Sequence, residues 1–282
     1  MTKKMGKTKK TKLIHIFCYI LLTAAGFTML LPFVWMLSAA FKPEVEIFQF
    51  PIHWIPENPT LNNLKAIFSK DYNFALYYWN SFKIAAIVTL IQLFTCSFAA
   101  YAFSKIKFVG RDRIFLCYLA TLMVPFQVTM IPLFIIMRNL NLIDTHLSLI
   151  LMHAFSAYGV FLLRQFYLGI PDELCEAAKL DGCGHFRIYS MIMLPNIKPA
   201  LATLGIFTFL GQWNDFLAPL IFLKDKALLT IPLGLKAFVT EYNVEYGKMM
   251  AGTTIALIPV IIVFFIGQKY FVEGIAMTGV KG

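Results

Sequence analysis

The sequence predicts an all-α polytopic membrane protein with six transmembrane helices and both termini in the cytoplasm. Hydrophobic residues make up 59% of its 282 residues and charged residues 14%, whereas soluble domains average about 45–50% and about 25%. Because a soluble fold of this size could not bury so much apolar surface, we expect lipid to cover it. A β-barrel would instead show alternating segments of about ten residues, and the sequence lacks that pattern.

Six apolar segments are each near the length needed to cross a hydrocarbon core roughly 30 Å thick, since a helix rises ~1.5 Å per residue. They lie at about residues 13–37, 82–103, 114–137, 147–163, 200–223 and 249–266. In the third segment, Pro125 and Pro132 lie nearly on one helical face. This spacing predicts a bent third helix.

The first apolar segment follows a basic tail at residues 1–12. One alternative is a cleaved signal peptide that ends near Ser38, Ala39 and Ala40. The apolar region of a signal peptide is about 7–15 residues long, and residues 13–37 exceed that length. We therefore expect a retained first transmembrane helix.

The distribution of lysine and arginine predicts the orientation. Both termini and the loops near residues 104–113 and 164–199 carry about twice as many of these residues as the opposite loops, so the positive-inside rule places them in the cytoplasm. The net charge of +10 then belongs to the cytoplasmic side. There it indicates contact with anionic membrane lipid rather than with nucleic acid.

The polar residues do not form a pattern typical of an enzyme. The five cysteines contain no Cys-x-x-Cys pair, and no two of the five histidines lie four residues apart, so a zinc site is not predicted. The sequence also lacks the Gly-x4-Gly-Lys-Ser/Thr loop that binds nucleotide phosphates. We expect no catalytic residue, metal or cofactor in this chain.

The cytoplasmic loop at residues 168–198 has a marked helix pattern. Pro171, Asp172 and Glu173 are typical of a helix start, which predicts a helix to about Asp181. Gly182 and Gly184 then favour a C-cap and a sharp turn. A second short helix is expected at 185–192, ended by Pro195, before Pro199 starts the fifth span.

This loop is predicted to dock another protein. Ala177 and Ala178 would form a surface of small residues that a partner backbone approaches closely, and Glu176 would offer an anionic anchor. Glu-Ala-Ala alone is common in ordinary helices. The full spacing as far as Leu194 and Pro195, between two spans on the positive side, favours docking.

The same residues carry a family resemblance. The cytoplasmic signature of membrane subunits of ATP-binding-cassette importers resembles the pattern Glu176-Ala177-Ala178-x3-Gly182-x9-Ile192-x-Leu194-Pro195, although Cys183 stands where that signature often has alanine. The chain also resembles the carbohydrate-uptake subfamily at Gln212–Phe216, Ile231–Leu235 and Gly279–Gly282. Within that subfamily it is similar to the second permease subunit of maltose-type and multiple-sugar importers.

The resemblance implies the fold and its divisions. The fold would be that of type I importer permeases, in a bacterial or archaeal plasma membrane. An extracytoplasmic loop at 38–76 would follow the first helix, the shared core would cover 77–268, and a cytoplasmic tail would occupy 269–282.

The resemblance also implies partners and site residues. A homologous permease subunit, an ATPase dimer that binds ATP and Mg, and an extracellular solute-binding protein would assemble with the chain around a sugar substrate. The residues that couple to the ATPase would be Glu176, Ala177, Ala178, Asp181, Gly182, Leu194 and Pro195. The tail residues Gly279, Val280, Lys281 and Gly282 would reach toward the ATPase, and the loop 224–248 would touch the binding protein.

Five residues are candidates for the translocation pathway. Asp215 is predicted inside the fifth span, where an unpaired charge costs roughly 2.5–3.5 kcal/mol or more, so this part should face a cavity or the partner permease. Asn214 lies beside it, and Trp213 either stacks on a sugar or packs in the protein. Gln92 and Gln127 are further candidates, with helix–helix hydrogen bonding as the alternative.

Other functions remain open at this stage. One is an ATP-driven importer of a solute other than a sugar. A secondary transporter would show internal repeats, which the sequence lacks, and a scaffold would have no use for the docking loop.

Overall fold

A computed structural model describes residues 4–69, 72–239 and 244–279, and most of these residues are helical. The helices, numbered in chain order, are α1 Lys4–Ala40, α2 Glu44–Ile47, α3 Asn62–Ile67, α4 Phe74–Lys105, α5 Arg111–Ala120, α6 Phe126–Asn139, α7 His146–Met152, α8 Ala157–Leu168, α9 Glu173–Leu180, α10 His185–Ile188, α11 Leu194–Asn196, α12 Lys198–Trp213, α13 Leu217–Phe222, α14 Ile231–Leu235 and α15 Tyr246–Gly279. The predicted all-α fold is confirmed.

Six membrane crossings are available if bent helix pairs count as single spans. Three helical segments are long and apolar enough by themselves: Ile14–Ala40, Phe74–Lys105 and Tyr246–Gln268. Three pairs qualify together: Arg111–Met123 with Phe126–Asn139, His146–Met152 with Ala157–Leu168, and His185–Asn196 with Lys198–Trp213. The domain boundaries given above stay predictions.

The third predicted span is broken rather than gently bent. The axes of its two halves differ by 100°, and Pro125 precedes α6 with an extended ψ of 144°. A proline disfavours helical backbone in the residue before it, and Val124 is indeed extended with ψ 111°. Pro132 lies inside α6. The predicted bend is confirmed, but it is a break between two separate helices and not a kink within one.

The fifth predicted span also differs from expectation. The continuous segment 200–223 is divided, because α12 ends at Trp213 and α13 begins at Leu217. The bent pair that includes α12 reaches back instead to His185, with 80° between its halves. Hydropathy did not locate this break because the interrupting residues, near Asn214, are flanked by apolar ones on both sides.

The residues cluster into two compact units. The first comprises 1–72 and 238–255. Within it Asn63, on the predicted short helix near 61–69, donates to the carbonyls of Ala40 and Lys42 at 3.1 and 2.7 Å. Glu44 accepts from the backbone N–H groups of Tyr246 and Gly247 at 2.7 and 2.9 Å. A carboxylate at the start of α15 satisfies otherwise unpaired N–H groups and complements the helix dipole.

The second unit comprises 73–237 and 256–282, and α4 lies at its centre with α8 and α12 packed against it. Close packing depends on small residues. A Cβ added to Gly159 of α8 would lie 2.8 Å from the Cys96 sulfur of α4 and 3.1 Å from Leu204 of α12. Membrane helices use such residues to bring their backbones together.

Candidate coupling loop and pathway residues

The predicted helix start in the cytoplasmic loop is confirmed. Helix α9 begins after Asp172, whose backbone carbonyl accepts from the N–H groups of Cys175 and Glu176 at 2.9 and 3.1 Å. Glu173 and Glu176 occupy its first turn, where acidic side chains complement the positive end of the helix dipole. The helix therefore forms for the reasons that its sequence indicates.

Helix α9 has two distinct faces. Cys175 and Ala178, three residues apart, are each only 6% exposed and belong to one apolar cluster with Tyr101 and Tyr167. Glu176 and Ala177 are exposed. The prediction that both alanines form a docking surface is wrong for Ala178, because its methyl group packs against the protein's own core. Ala177 and Glu176 remain accessible.

Gly182 ends the helix in the predicted way. Its φ is +80°, its N–H donates to the Lys179 carbonyl at 3.0 Å, and the Cys183 N–H donates to the Ala178 carbonyl at 2.9 Å. These two bonds form a Schellman motif, which favours glycine at the left-handed position. Gly184 has φ −71° and ψ 164°, so the prediction that it shares this role is wrong.

The second half of the loop is more continuous than predicted. The α-helical part from His185 ends at Ile188, a π-helical turn follows at Tyr189–Met193, and α11 then contains Leu194 and Pro195. Pro195 therefore does not end the helix at residue 192 as predicted, because it lies in the last turn of a helical segment that continues to Asn196. Asp181 and Pro195 are exposed and Leu194 is half-buried.

A lysine joins this loop to the end of α4. Lys105 Nζ donates to the Ile170 carbonyl at 2.6 Å and to Asp172 Oδ1 at 2.5 Å, and the lysine side chain is 3% exposed. The hydrogen bond from Lys105 lowers the pKa of the Asp172 carboxyl below its ordinary value. In the sequence Lys105 is one of the basic residues of the loop near 104–113, and no spacing relates it to a residue 67 positions away.

Gln92 makes the helix–helix hydrogen bonds that were the alternative to a pathway role. Its side chain is buried, donates to the His153 carbonyl at 2.6 Å and accepts from the Thr208 hydroxyl at 2.9 Å. The amide therefore joins three segments of the second unit. Its two polar atoms are engaged inside this chain, which corrects its assignment to the pathway.

Trp213 is likewise a packing residue. It is 2% exposed, its indole N–H donates to the Ala256 carbonyl at 3.0 Å, and its ring stacks on Phe209 with centroids 5.8 Å apart. Tyr78 meets the ring edge-on at 5.2 Å. With its faces covered, the ring does not present a stacking surface to a sugar, and the pathway prediction is corrected.

The three remaining candidates are accessible. Asp215 lies at the break between α12 and α13 rather than inside a helix, and its carboxylate accepts from the Ala218 N–H at 3.3 Å. Asn214 is exposed and donates to the Leu210 carbonyl at 2.8 Å. Gln127 is exposed in the first turn of α6.

Comparison with known proteins identifies the family. Residues 92–277 match the family described as "Binding-protein-dependent transport system inner membrane component". The chain belongs to this family. The resemblance found from the coupling-loop residues is therefore confirmed, and the protein is a membrane permease component.

Individual relatives agree with this assignment over nearly the full length. The arabinooligosaccharides transport system permease protein AraQ of Halalkalibacterium halodurans is 36% identical over 91% of this chain and 93% of its own length. The sn-glycerol-3-phosphate transport system permease protein UgpE of Yersinia enterocolitica is 31% identical over 93% of this chain and 96% of its own. A bacterial ABC transporter involved in the import of alginate has a chain of the same fold, with TM-score 0.83 at 24% identity over 93% and 98% of the two chains.

The outer loop of the permease is held by side chains that include one from α4 and one from the connection between α6 and α7. In the second unit, Asp144 accepts from the backbone N–H groups of Lys224 and Asp225 at 2.8 and 2.9 Å. Asn80 donates to the carbonyls of Ala227 and Leu229 at 2.9 and 3.0 Å. The start of the loop 224–248 is thus fixed to the ends of the spans. Residues 240–243 lie outside the described part of the chain.

The C-terminal tail of the permease is described only as far as Gly279, where α15 ends. The predicted contacts of Val280, Lys281 and Gly282 with an ATPase fall outside the described residues.

Proposed function

We propose that this permease forms half of the translocation pathway of an ATP-driven, binding-protein-dependent importer of an oligosaccharide. A separate ATPase drives it through the loop 168–198. The observation that carries this proposal is the two-faced helix α9, which presents Glu176 and Ala177 outward while Cys175 and Ala178 pack into the permease core.

The two faces suit the transfer of motion between proteins. The exposed carboxylate of Glu176 can pair with an arginine or lysine of the ATPase, and the small side chain of Ala177 allows close approach. Such an ion pair gains strength when the interface excludes water. Because the opposite face is buried in the permease, a displacement of α9 would carry the core with it.

The remaining parts of the importer follow from the family. We expect a homologous permease as the second half of the pathway, two ATPase subunits that bind ATP and Mg, and an external solute-binding protein. The accessible residues Gln127, Asn214 and Asp215 stay candidates for the pathway, and Gly279 to Gly282 stay candidates for ATPase contact.

The names of the similar proteins support a sugar substrate. AraQ is named for arabinooligosaccharides, and the fold neighbour for import of the polysaccharide alginate. UgpE, named for sn-glycerol-3-phosphate, supports a non-sugar solute as the second candidate.

The test uses the importer purified with its associated subunits and reconstituted in vesicles. Glu176→Ala should lower ATP-driven uptake by at least about tenfold, the change expected from one lost charge-assisted hydrogen bond. The amount of permease in the membrane should not change. Full ATP-driven uptake by this variant would contradict the coupling assignment, as would uptake driven by an ion gradient without ATP.

A matched pair of glycine variants tests the geometry of the loop. Gly182→Ala forces an L-residue into the left-handed region at about 1–2 kcal/mol, which should tilt the helix and lower uptake. Gly184→Ala is the control, because the backbone of Gly184 suits any residue. Competition of labelled oligosaccharide uptake by sn-glycerol-3-phosphate would distinguish the two solute classes.

A further inference from the structure

The end of α4 carries a lysine that is buried although it is a cationic residue at the membrane boundary. The Lys105 side chain is 3% exposed, whereas its ion-pair partner Asp172 is 68% exposed. Lysine side chains normally keep their ammonium group in water. The burial of this one indicates that its two bonds to the coupling loop hold it in place.

Those two bonds lie on either side of Pro171, immediately before α9. The Ile170 carbonyl accepts at 2.6 Å and the Asp172 carboxylate at 2.5 Å. Pro171 has no N–H group of its own to anchor this part of the backbone. Lys105 therefore fixes the point at which the coupling helix begins.

The acidic residue nearest to Lys105 along the chain has other partners and does not compete for its ammonium group. Asp112, the nearest acidic residue along the chain, accepts instead from Arg111 at 3.1 Å and from Arg164 at 3.2 Å. Arg164 also donates to the Phe103 carbonyl at 3.1 Å. The hydrogen-bonded acid–base pairs thus form two groups, and among the described residues only the Lys105 group donates to the coupling loop. Lys107 and Arg111 act on Asp172 through their charge.

A second contact joins the same two helices. Tyr101, one turn before Lys105 on α4, is 3% exposed and shares an apolar cluster with Cys175 and Ala178 of α9. Its hydroxyl lies 3.4 Å from His185 Nδ1, beyond the end of α9. The coupling helix is attached to α4 near its start by Lys105 and along its length by this cluster.

We propose that Lys105 is a positioning residue that makes α9 and α4 move as one body. The proposal rests on the coupling function proposed above. A load on the exposed face of α9 would then reach α4, the helix against which α8 and α12 pack. Without the lysine, the start of α9 would shift independently and part of the displacement would be lost.

The test compares Lys105→Met with Lys107→Met in the reconstituted importer. Lys107 is exposed two residues further on and acts on Asp172 through its charge alone, since it forms no hydrogen bond within the described ranges. Lys107→Met therefore removes a nearby charge without removing a bond to the coupling loop. Lys105→Met should lower the solute imported per ATP hydrolysed by about tenfold, as expected for one lost charge-assisted bond, with ATP hydrolysis within about twofold of the wild type. Lys107→Met should leave both quantities unchanged.

A second measurement separates positioning from general stability. Amide hydrogen exchange across 173–180 should increase in Lys105→Met while exchange in α8 and α12 stays at the wild-type rate, and Lys105→Arg should restore both protection and transport. An unchanged import ratio or unchanged exchange in Lys105→Met overturns the proposal. If that variant does not reach the membrane, Lys105→Gln and Asp172→Asn are judged by the same two measurements.

The outcome is distinguishable from failure of the proposed function. If the wild-type importer shows no ATP-driven uptake, the coupling function itself is wrong. If the wild type transports and Lys105→Met transports with the same efficiency, only the role of Lys105 is wrong.

Discussion

The helices α1 and α4 are almost equally apolar, but they differ in what covers them. Each contains a segment long enough to cross a bilayer, and the mean hydropathy of the two segments is nearly the same. Of its most apolar stretch, α4 buries 44% within the protein, whereas α1 buries 0%. Mean hydropathy thus indicates that both helices belong in a membrane, but it does not indicate how much of each helix packs against the rest of the protein.

Buried polar side chains account for the different packing of the two helices. Helix α4 buries five polar residues of its own: Asn80, Ser81, Gln92, Ser97 and Ser104. In the described part of α1, Ser38 is buried near the end of the helix, whereas the Thr28 hydroxyl is exposed and bonds to the Ala24 carbonyl of the same helix at 2.9 Å. Polar residues and close helix contacts are what drive association in a membrane, where apolar surface gains nothing by leaving lipid.

The largest expected effect lies where the outer loop packs on α4. A Cβ added to Gly234 would lie 2.3 Å from Cδ2 and 2.9 Å from Cε2 of the buried Tyr77 ring. Since overpacking costs roughly 1–3 kcal/mol and the ring has little room to move, Gly234→Ala should destabilise the permease by about 3 kcal/mol. Unfolding in detergent measures the change.

The control for this variant is the same substitution in α1. A Cβ at Gly26 meets nothing within 4 Å, so Gly26→Ala should stabilise the helix by about 0.5–1 kcal/mol. Equal effects at the two positions would show that α1 and α4 are packed alike.

A smaller effect is expected from the buried amide of α4. Gln92→Ala leaves the His153 carbonyl and the Thr208 hydroxyl without the bonds that the wild type provides. The loss should be about 1–2 kcal/mol, because membrane hydrogen bonds are individually modest. Thr28→Ala in α1 is the matched control and should change stability by less than about 0.5 kcal/mol. A loss of similar size in α1 would remove the contrast between the helices.

The smallest effect concerns pH at the cytoplasmic end of α4. Lys105 lowers the pKa of Asp172 below its ordinary value, so the ion pair contributes stability above about pH 4 and loses it as pH falls through the lowered pKa. The contribution should stay below about 1 kcal/mol, since the carboxylate is largely exposed. The difference in unfolding free energy between wild type and Asp172→Asn should disappear at acid pH, and a difference that grows there would contradict this account.

Local signals in the sequence predicted much of the fold and of the coupling loop. The six apolar segments, the helix start at Pro171 to Glu173 and the turn at Gly182 each depend on neighbours within a few residues. The exposure of Ala178 on α9 was predicted wrongly, whereas Glu176 and Ala177 are exposed as the sequence predicted. Cys175 and Ala178 lie on one helical face, but only the packed structure shows that this face meets the core.

Contacts between residues far apart in the sequence could not be predicted from such local signals. The bonds of Lys105 to Ile170, and of Trp213 to Ala256, connect positions that no periodicity relates. The break after Trp213 was missed because Asn214 and Asp215 lie between apolar runs, where a polar pair is compatible with either a helix or a turn. For such positions, packing in the folded protein decides between a helix and a turn, and composition alone does not.

The π-helical turn at Tyr189–Met193 lies between the α-helical start at His185 and α11. It holds one more residue than an α-helical turn would need, whereas an extra residue in a regular α-helix would rotate all that precedes it by about 100° about the axis. Because the wide turn takes up that residue locally, deleting one residue there should return the backbone to α-helical spacing and leave Glu176 facing the same way. The same deletion within α9 would turn Glu176 away from its partner.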